Sequence, residues 1–420
     1  MKDDLRGEQI MKLLKVDTLE QAREKLLAQI TWDMGKTEKI PVEKSGGRIL
    51  ACDVLAESPL PYFPRATVDG YGVRAADTQG AGESIPVFLE VKEEVEIGTV
   101  PSCEIAGGTC AYVPTGGMIP RGADAMVMVE YTEPFDTSHI AVYSSVPSGA
   151  GILQIGEDVE KDQIILTRGT RLGAAQIGAL AGNGIREAEV YKPLKVTILS
   201  TGDELTEPGC PLKPGCIYDI NTPALARMGE EMGFEIVHTQ VLPDREEVIE
   251  QALRQGLRSS DLIVISGGSS QGKKDMTSRI LDRISNPGVF THGLALKPGK
   301  PTILGVDKES ESVLMGLPGH PGAAVVVFRL LAGWLERQRT GCSEKPMVPA
   351  VMESNVPAAP GKDTILMVRL LPGEDGVYTA RPVLGKSGLM RTLTGSDGFV
   401  RIPLGKEGLK TGETVMAELL

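Results

Sequence analysis

Three loops in the segment 194–301 carry the side chains best suited to chemistry. They read LKVTILSTGDEL (Leu194 to Leu205), DLIVISGGSSQGKKD (Asp261 to Asp275) and GLALKPGKP (Gly293 to Pro301), and each follows an apolar, β-branched run. Asp203 and Glu204 are adjacent carboxylates just past a strand, where they can coordinate a hard cation or accept hydrogen bonds from a ligand's amino and amide groups. Gly267, Gly268 and Gly272 let the backbone curl close to a ligand, and the helix that follows offers free N–H groups to an anion. This loop lacks both the Lys-Ser/Thr ending of a nucleotide P-loop and the spaced glycines of a dinucleotide fingerprint. Lys297 and Lys300 sit on a proline-stiffened turn, which lowers the entropy lost when their ammonium groups engage an oxyanion. Together the loops suit a phosphorylated ligand. Taken singly, each also reads as a plain turn, with Asp275 as a helix cap.

Such loops meet only if a sheet sets them side by side, as a parallel sheet does at the carboxyl ends of its strands. From Lys192–Pro193 onward the pattern alternates strand and helix: VTILS, TPALARMGEEMG, FEIVHTQVL, REEVIEQALRQGLR, DLIVIS, MTSRILDRI and GAAVVVFRLLAGWLERQ. This is a doubly wound α/β domain, spanning 194–342. Before it, a docking helix is expected over Thr18 to Ile30, with Leu19, Ala22, Leu26 and Ile30 near the helical period. Residues 1–55 with 160–193 form a scaffold domain that ends in the short helix GAAQIGALAG, and 56–159 form an inserted β subdomain of short runs divided by Gly and Pro. Beyond it, 343–420 returns to short β runs (TILMVRLL, GVYTARPV, DGFVRIPL, ETVMAEL), which suggest a small terminal barrel.

Turns in the β subdomain are a second group of candidates. Asp69 lies in RATVDGYG, where Asp-Gly is first of all a hairpin signal. Thr115 in VPTGGMIPRGAD and Asp158 in GEDVEKD are turn residues by composition. Gly319 and His320 in GLPGHPGAA fall at a helix start, where a lone histidine is more often a cap than a catalyst.

Composition narrows the ligand. With 56 acidic and 44 basic residues the chain carries a net charge of −12, which repels polyanions, and 4% aromatic residues leave few rings to stack bases. Nucleic acid is excluded as a partner, and an anionic small molecule must be met locally by N–H groups, lysines or a metal. The six cysteines include no C-x-x-C pair and read as reduced thiols of a cytoplasmic protein. MKDDLRGEQIMK has no apolar core of the signal-peptide type. The longest apolar run, Ala323 to Leu335, is broken by Arg329 and is shorter than the ~20 residues of a membrane span.

Taken in order, SPLPYFPRATVDGYGVRAAD, PTGGMIPRGADAMVMVE, GEDVEKD, RGTRL, LSTGDEL, IYDINTPAL, SGGSSQGKKD, LKPGKP and GLPGHPGAA resemble the molybdopterin molybdenumtransferase family, the molybdenum insertases that include the C-terminal part of gephyrin. The resemblance covers nearly the whole chain. It implies a homodimer with a cleft between the α/β domain of one subunit and the β subdomain of the other. It also implies a reaction in which adenylylated molybdopterin and molybdate yield the molybdenum cofactor and AMP, assisted by Mg²⁺. By family position, Asp69, Glu204, Asp244 and Asp275 are catalytic, and Asp275 holds the metal. Thr115, Asp158, Asp203, Gly267, Gly268, Ser270, Gly272, Lys297, Lys300 and Pro318 bind the pterin nucleotide or the oxyanion. A pathway adenylyltransferase is an implied partner. The family's common Gly-Asn-Pro is Gly319-His320-Pro321 here, Ala323 stands where serine is frequent, and FPRATVDGYG replaces F-D-N-S-x-M-D-G-Y-A. Two alternatives stay open: a diverged, non-catalytic molybdopterin-binding or scaffold paralogue, and an adenylyltransferase acting one step earlier.

Overall fold

A computed structural model of the chain describes residues 16–267, 274–344, 346–373, 376–385 and 388–420, with Lys274 and Asp275 described in their backbone alone. The expected first helix spans Leu19–Gln29. Thr18 Oγ1 accepts from the Gln21 N–H at 3.1 Å, and Gln21 Oε1 accepts from the Thr18 N–H at 3.0 Å, a reciprocal cap that satisfies two N-terminal donors. Its buried stripe, Leu19, Ala22 and Leu26, packs into the same core as Val264, Leu304 and Met315 of the α/β sheet. Asp17 anchors its start by accepting from Lys25 at 2.7 Å and from the Thr291 hydroxyl at 2.8 Å.

Thr37–Pro41 pairs antiparallel with Glu187–Tyr191, and the helix Ala174–Gly182 covers the pair through Leu180. Within the β subdomain, six strands run in the spatial order Ala125–Met128, Gly70–Val73, Thr109–Val113, Val87–Glu94, His139–Val142 and Thr132–Pro134. The Asp69–Gly70 pair does not turn a hairpin. Arg65–Ala66 before it pairs with Ile152–Leu153, whereas Gly70–Val73 pairs with two other strands. Glycine is required at position 70 by close approach, since a Cβ there would lie 2.0 Å from the Val127 carbonyl oxygen.

The α/β domain has a six-stranded sheet in the order Glu235–Leu242, Lys195–Thr201, Leu262–Gly267, Ser312–Leu317, Ile303–Asp307 and Pro287–His292. The first four strands are parallel; Lys195–Thr201, Leu262–Gly267 and Ser312–Leu317 are buried on both faces, which explains their near-continuous apolar sequence, whereas Glu235–Leu242 is a half-exposed edge strand. The last two join antiparallel, so the doubly wound sheet is mixed at one edge. Both strands belong to a connection that runs out and back, so Lys297 still lies at the carboxyl end of the sheet. The helix Pro321–Phe328 continues through a π turn, Arg329–Gly333, into Trp334–Thr340.

Five C-terminal strands close into a barrel, because Asp363–Pro372 pairs with both Tyr378–Pro382 and Gly398–Ile402, while Val348–Met352 and Thr414–Leu419 complete the circuit. Closure removes free sheet edges. Leu296–Lys297 adds to this barrel beside Asp363–Thr364, which ties the lysine turn of one domain to the sheet of another.

Candidate active site

The carboxyl ends of the parallel strands open into a cavity of about 590 Å³. Gly267 ends the strand below it with φ +118°, and a Cβ there would meet the Thr201 carbonyl oxygen at 2.1 Å, so no other residue lets the two strand ends approach this closely. Asp219 is buried and accepts from the N–H groups of Asn221 (3.1 Å) and Thr222 (3.4 Å), thereby capping the helix Asn221–Met232. Asn221 Nδ2 donates to Ser266 Oγ at 2.6 Å and to the Gly319 carbonyl at 2.9 Å. One helical side chain thus staples the ends of two neighbouring strands. Glu204 and Asp244 complete an acidic wall with Asp219. Asp203 does not line the cavity; its Oδ1 accepts from the Asp244 N–H at 3.0 Å and so fixes the loop that presents Asp244.

A second cavity, of about 850 Å³, lies between the α/β domain and the barrel. Its charged lining is entirely basic among the described residues: Lys297, Lys300 and Lys362, with Pro318 beside them. Gly319 and His320 line both cavities, so a carboxylate chamber and a lysine chamber meet at that dipeptide.

The structure brings together Glu204, Asp244, Gly267, Lys297, Lys300 and Pro318 around these joined cavities. Gly268, Ser270 and Gly272 lie outside the described residues. Asp275 stands in the first described turn of the helix Lys274–Ile284, inside the helix rather than at its cap, and its side chain is outside the description. Asp69, Thr115 and Asp158 are exposed, and none of them lines either cavity. Asp69 and Thr115 do meet, since the Thr115 N–H donates to Asp69 Oδ1 at 2.7 Å. Sequence reasoning missed Asp219, Asn221, Ser266 and Lys362. An Asp two residues before a helical Asn is a legible capping signal. Lys362 had no signal, because only barrel closure delivers it.

That Thr115 donor holds the Asp69 carboxyl below its ordinary range. A carboxyl held low contributes stability that is present above the ordinary carboxylate range and is lost as pH falls through its folded value. NMR titration of Asp69 should therefore show a lowered midpoint, and Thr115→Pro, which removes the N–H, should return it upward. An unchanged midpoint in that variant would refute the assignment.

The acidic wall offers the kind of donor a hard cation takes, carboxylate oxygen. Glu204, Asp219 and Asp244 offer oxygen ligands alone, and among the described residues no three acidic, cysteine or histidine side chains form a ready metal cage. Mg²⁺ is typically held by one or two carboxylates and the phosphates of its substrate, not by a full protein cage.

Fold and cavities define a multidomain α/β protein with a small-molecule site at its strand ends, walled on one side by an appended barrel. Residues 17–184 match the family model described as the MoeA N-terminal region (domain I and II), 197–337 the probable molybdopterin binding domain, and 349–420 the MoeA C-terminal region (domain IV). The chain is 32% identical over 406 residues to the molybdopterin molybdenumtransferase of Haemophilus influenzae, covering 96% of this chain and 98% of that one. It is 31% identical over 397 residues to the enzyme of the same name from Bacillus subtilis, covering 92% and 90%. A solved structure of the molybdopterin biosynthesis MoeA protein from Pyrococcus horikoshii superposes with a TM-score of 0.81 at 30% identity, over 97% of this chain and 100% of that one. The chain belongs to the molybdopterin molybdenumtransferase family, enzymes of molybdenum cofactor biosynthesis, as the resemblance implied. Among the described residues, no helix is long and apolar enough to cross a membrane.

Proposed function

We propose that the chain converts adenylylated molybdopterin and molybdate into the molybdenum cofactor and AMP, in the cytoplasm and with Mg²⁺. The observation that carries this reading is the junction of an acidic and a basic cavity at Gly319–His320. A pterin nucleotide presents amino and amide donors together with phosphates, whereas molybdate is a compact dianion. One substrate suits the carboxylate wall and a bound cation; the other suits the lysines.

In this reading Glu204 and Asp244 orient the ligand or the water that attacks phosphorus, and Gly267, with Gly268, Ser270 and Gly272 of its loop, cradles the phosphates. Asp275, with the acidic wall, holds Mg²⁺, which when bound neutralises charge on the phosphoanhydride oxygens. Lys297 and Lys300 hold molybdate against Pro318. Hydrolysis of the anhydride adds one water and leaves molybdopterin and AMP.

Asp69, Thr115 and Asp158 enter only in a homodimer. They are polar and exposed and line neither cavity of their own chain, as groups that complete a second copy's cleft would be. The pathway's adenylyltransferase is the natural source of the substrate. Purified protein given adenylylated molybdopterin, molybdate and Mg²⁺ should form AMP and active cofactor, and a chelator should stop both. Tight pterin binding with no AMP would overturn the proposal.

A further inference from the structure

We infer that His320 delivers a proton to the departing oxygen of the oxyanion, at the seam between the two cavities; this rests on the function proposed above. Inserting molybdenum has a proton requirement. A dithiol and MoO₄²⁻ give a dithiolene MoO₂ centre and two waters only if two protons are added beyond the two from the thiols. Two Mo–S bonds form and two Mo–O bonds break. Molybdenum stays at the +6 state, so no electron donor is needed, but a proton source beside the oxyanion is.

His320 is placed for this. It lines the carboxylate chamber and the lysine chamber alike and is exposed to them, so solvent can reload it. Histidine is the side chain whose unperturbed charge change falls near neutral pH, whereas lysine holds its proton too tightly there and carboxylates have lost theirs. Among the described residues, the charged groups that line the two chambers are Glu204, Asp219 and Asp244 in one and Lys297, Lys300 and Lys362 in the other. The barrel helix Met390–Thr394, which packs on the helix His320 begins, carries Arg391, which is exposed and lines neither cavity. Gly388 seats the ring, since a Cβ there would lie 3.7 Å from His320 Cδ2.

The test uses His320→Asn, which puts a good N-cap residue at the start of the helix Pro321–Phe328 and so leaves the fold in place. With imidazole-labelled protein, His320 is the one of four histidines lost in the variant. Tungstate alone, a non-reacting stand-in for the dianion, should raise its titration midpoint by about 1 pH unit. In turnover, wild-type cofactor formation should fall about tenfold per pH unit above the histidine titration. In cofactor formation His320→Asn should be slower by about 10²-fold and flat over that range. A ring unmoved by tungstate, or a variant that keeps the wild-type pH limb, overturns the inference. Wild-type protein that forms no AMP instead sinks the proposed function, while the titration still decides whether the oxyanion meets His320.

Discussion

Lys297→Ala is expected to slow cofactor formation by about 10²–10³-fold, the usual cost of removing one preorganised charge partner from a reacting anion. The side chain is exposed at the mouth of the lysine cavity, so its truncation removes no core packing, and the stability change should stay within about 0.5 kcal/mol. Alanine keeps the main-chain pairing of Leu296–Lys297 with Asp363–Thr364, and the barrel contact survives. Single-turnover assays that follow AMP and cofactor separately distinguish the role. AMP release, which belongs to the acidic chamber, should change little, and raised molybdate should recover part of the lost rate. Equal losses in both steps would mean that the two chambers do not divide the chemistry.

The largest expected stability effect lies far from the site. Arg339 and Glu336 form an ion pair at 2.6 Å whose side chains are 4% and 7% exposed. Arg339 also donates to the carbonyls of Met34 (3.2 Å) and Lys192 (3.0 Å), fastening the last helix of the α/β domain to the segments that enter and leave the scaffold. Burial pushes the Glu336 carboxyl up while Arg339 opposes it. Arg339→Ala strands a buried carboxylate and orphans both carbonyls, which should cost about 3–5 kcal/mol. Urea denaturation should show the lowered midpoint. The double variant Arg339→Met with Glu336→Gln should recover much of the loss, since replacing both ions is far cheaper than removing one. A single variant as stable as the wild type would contradict the burial of this pair.

Much of the α/β domain was legible in the sequence because its central strands are buried on both faces, so their apolar runs stand out between amphipathic helices. The loop positions were legible for the same reason. Glu204 and Gly267 follow directly from strands, and strand order decides what they meet. The reversal of Ile303–Asp307 was not legible, because a short apolar strand carries no mark of its direction. The Asp69–Gly70 turn misled for a related cause: Asp-Gly reports backbone permissiveness, whereas here the glycine answers a carbonyl 2.0 Å from where its Cβ would stand. Lys362 and the seam at His320 depend on barrel closure, a contact between residues far apart in sequence. The capping role of Asp219 could have been read locally and was overlooked beside louder glycine loops.

The division of the site into an acidic and a basic chamber meeting at His320 is tested most directly by a crystal structure with tungstate bound, located by its anomalous scattering. Density is expected among Lys297, Lys300 and Lys362, in contact with His320 and apart from Glu204 and Asp244. Tungstate seated elsewhere, with that chamber empty at saturating concentration, would contradict it.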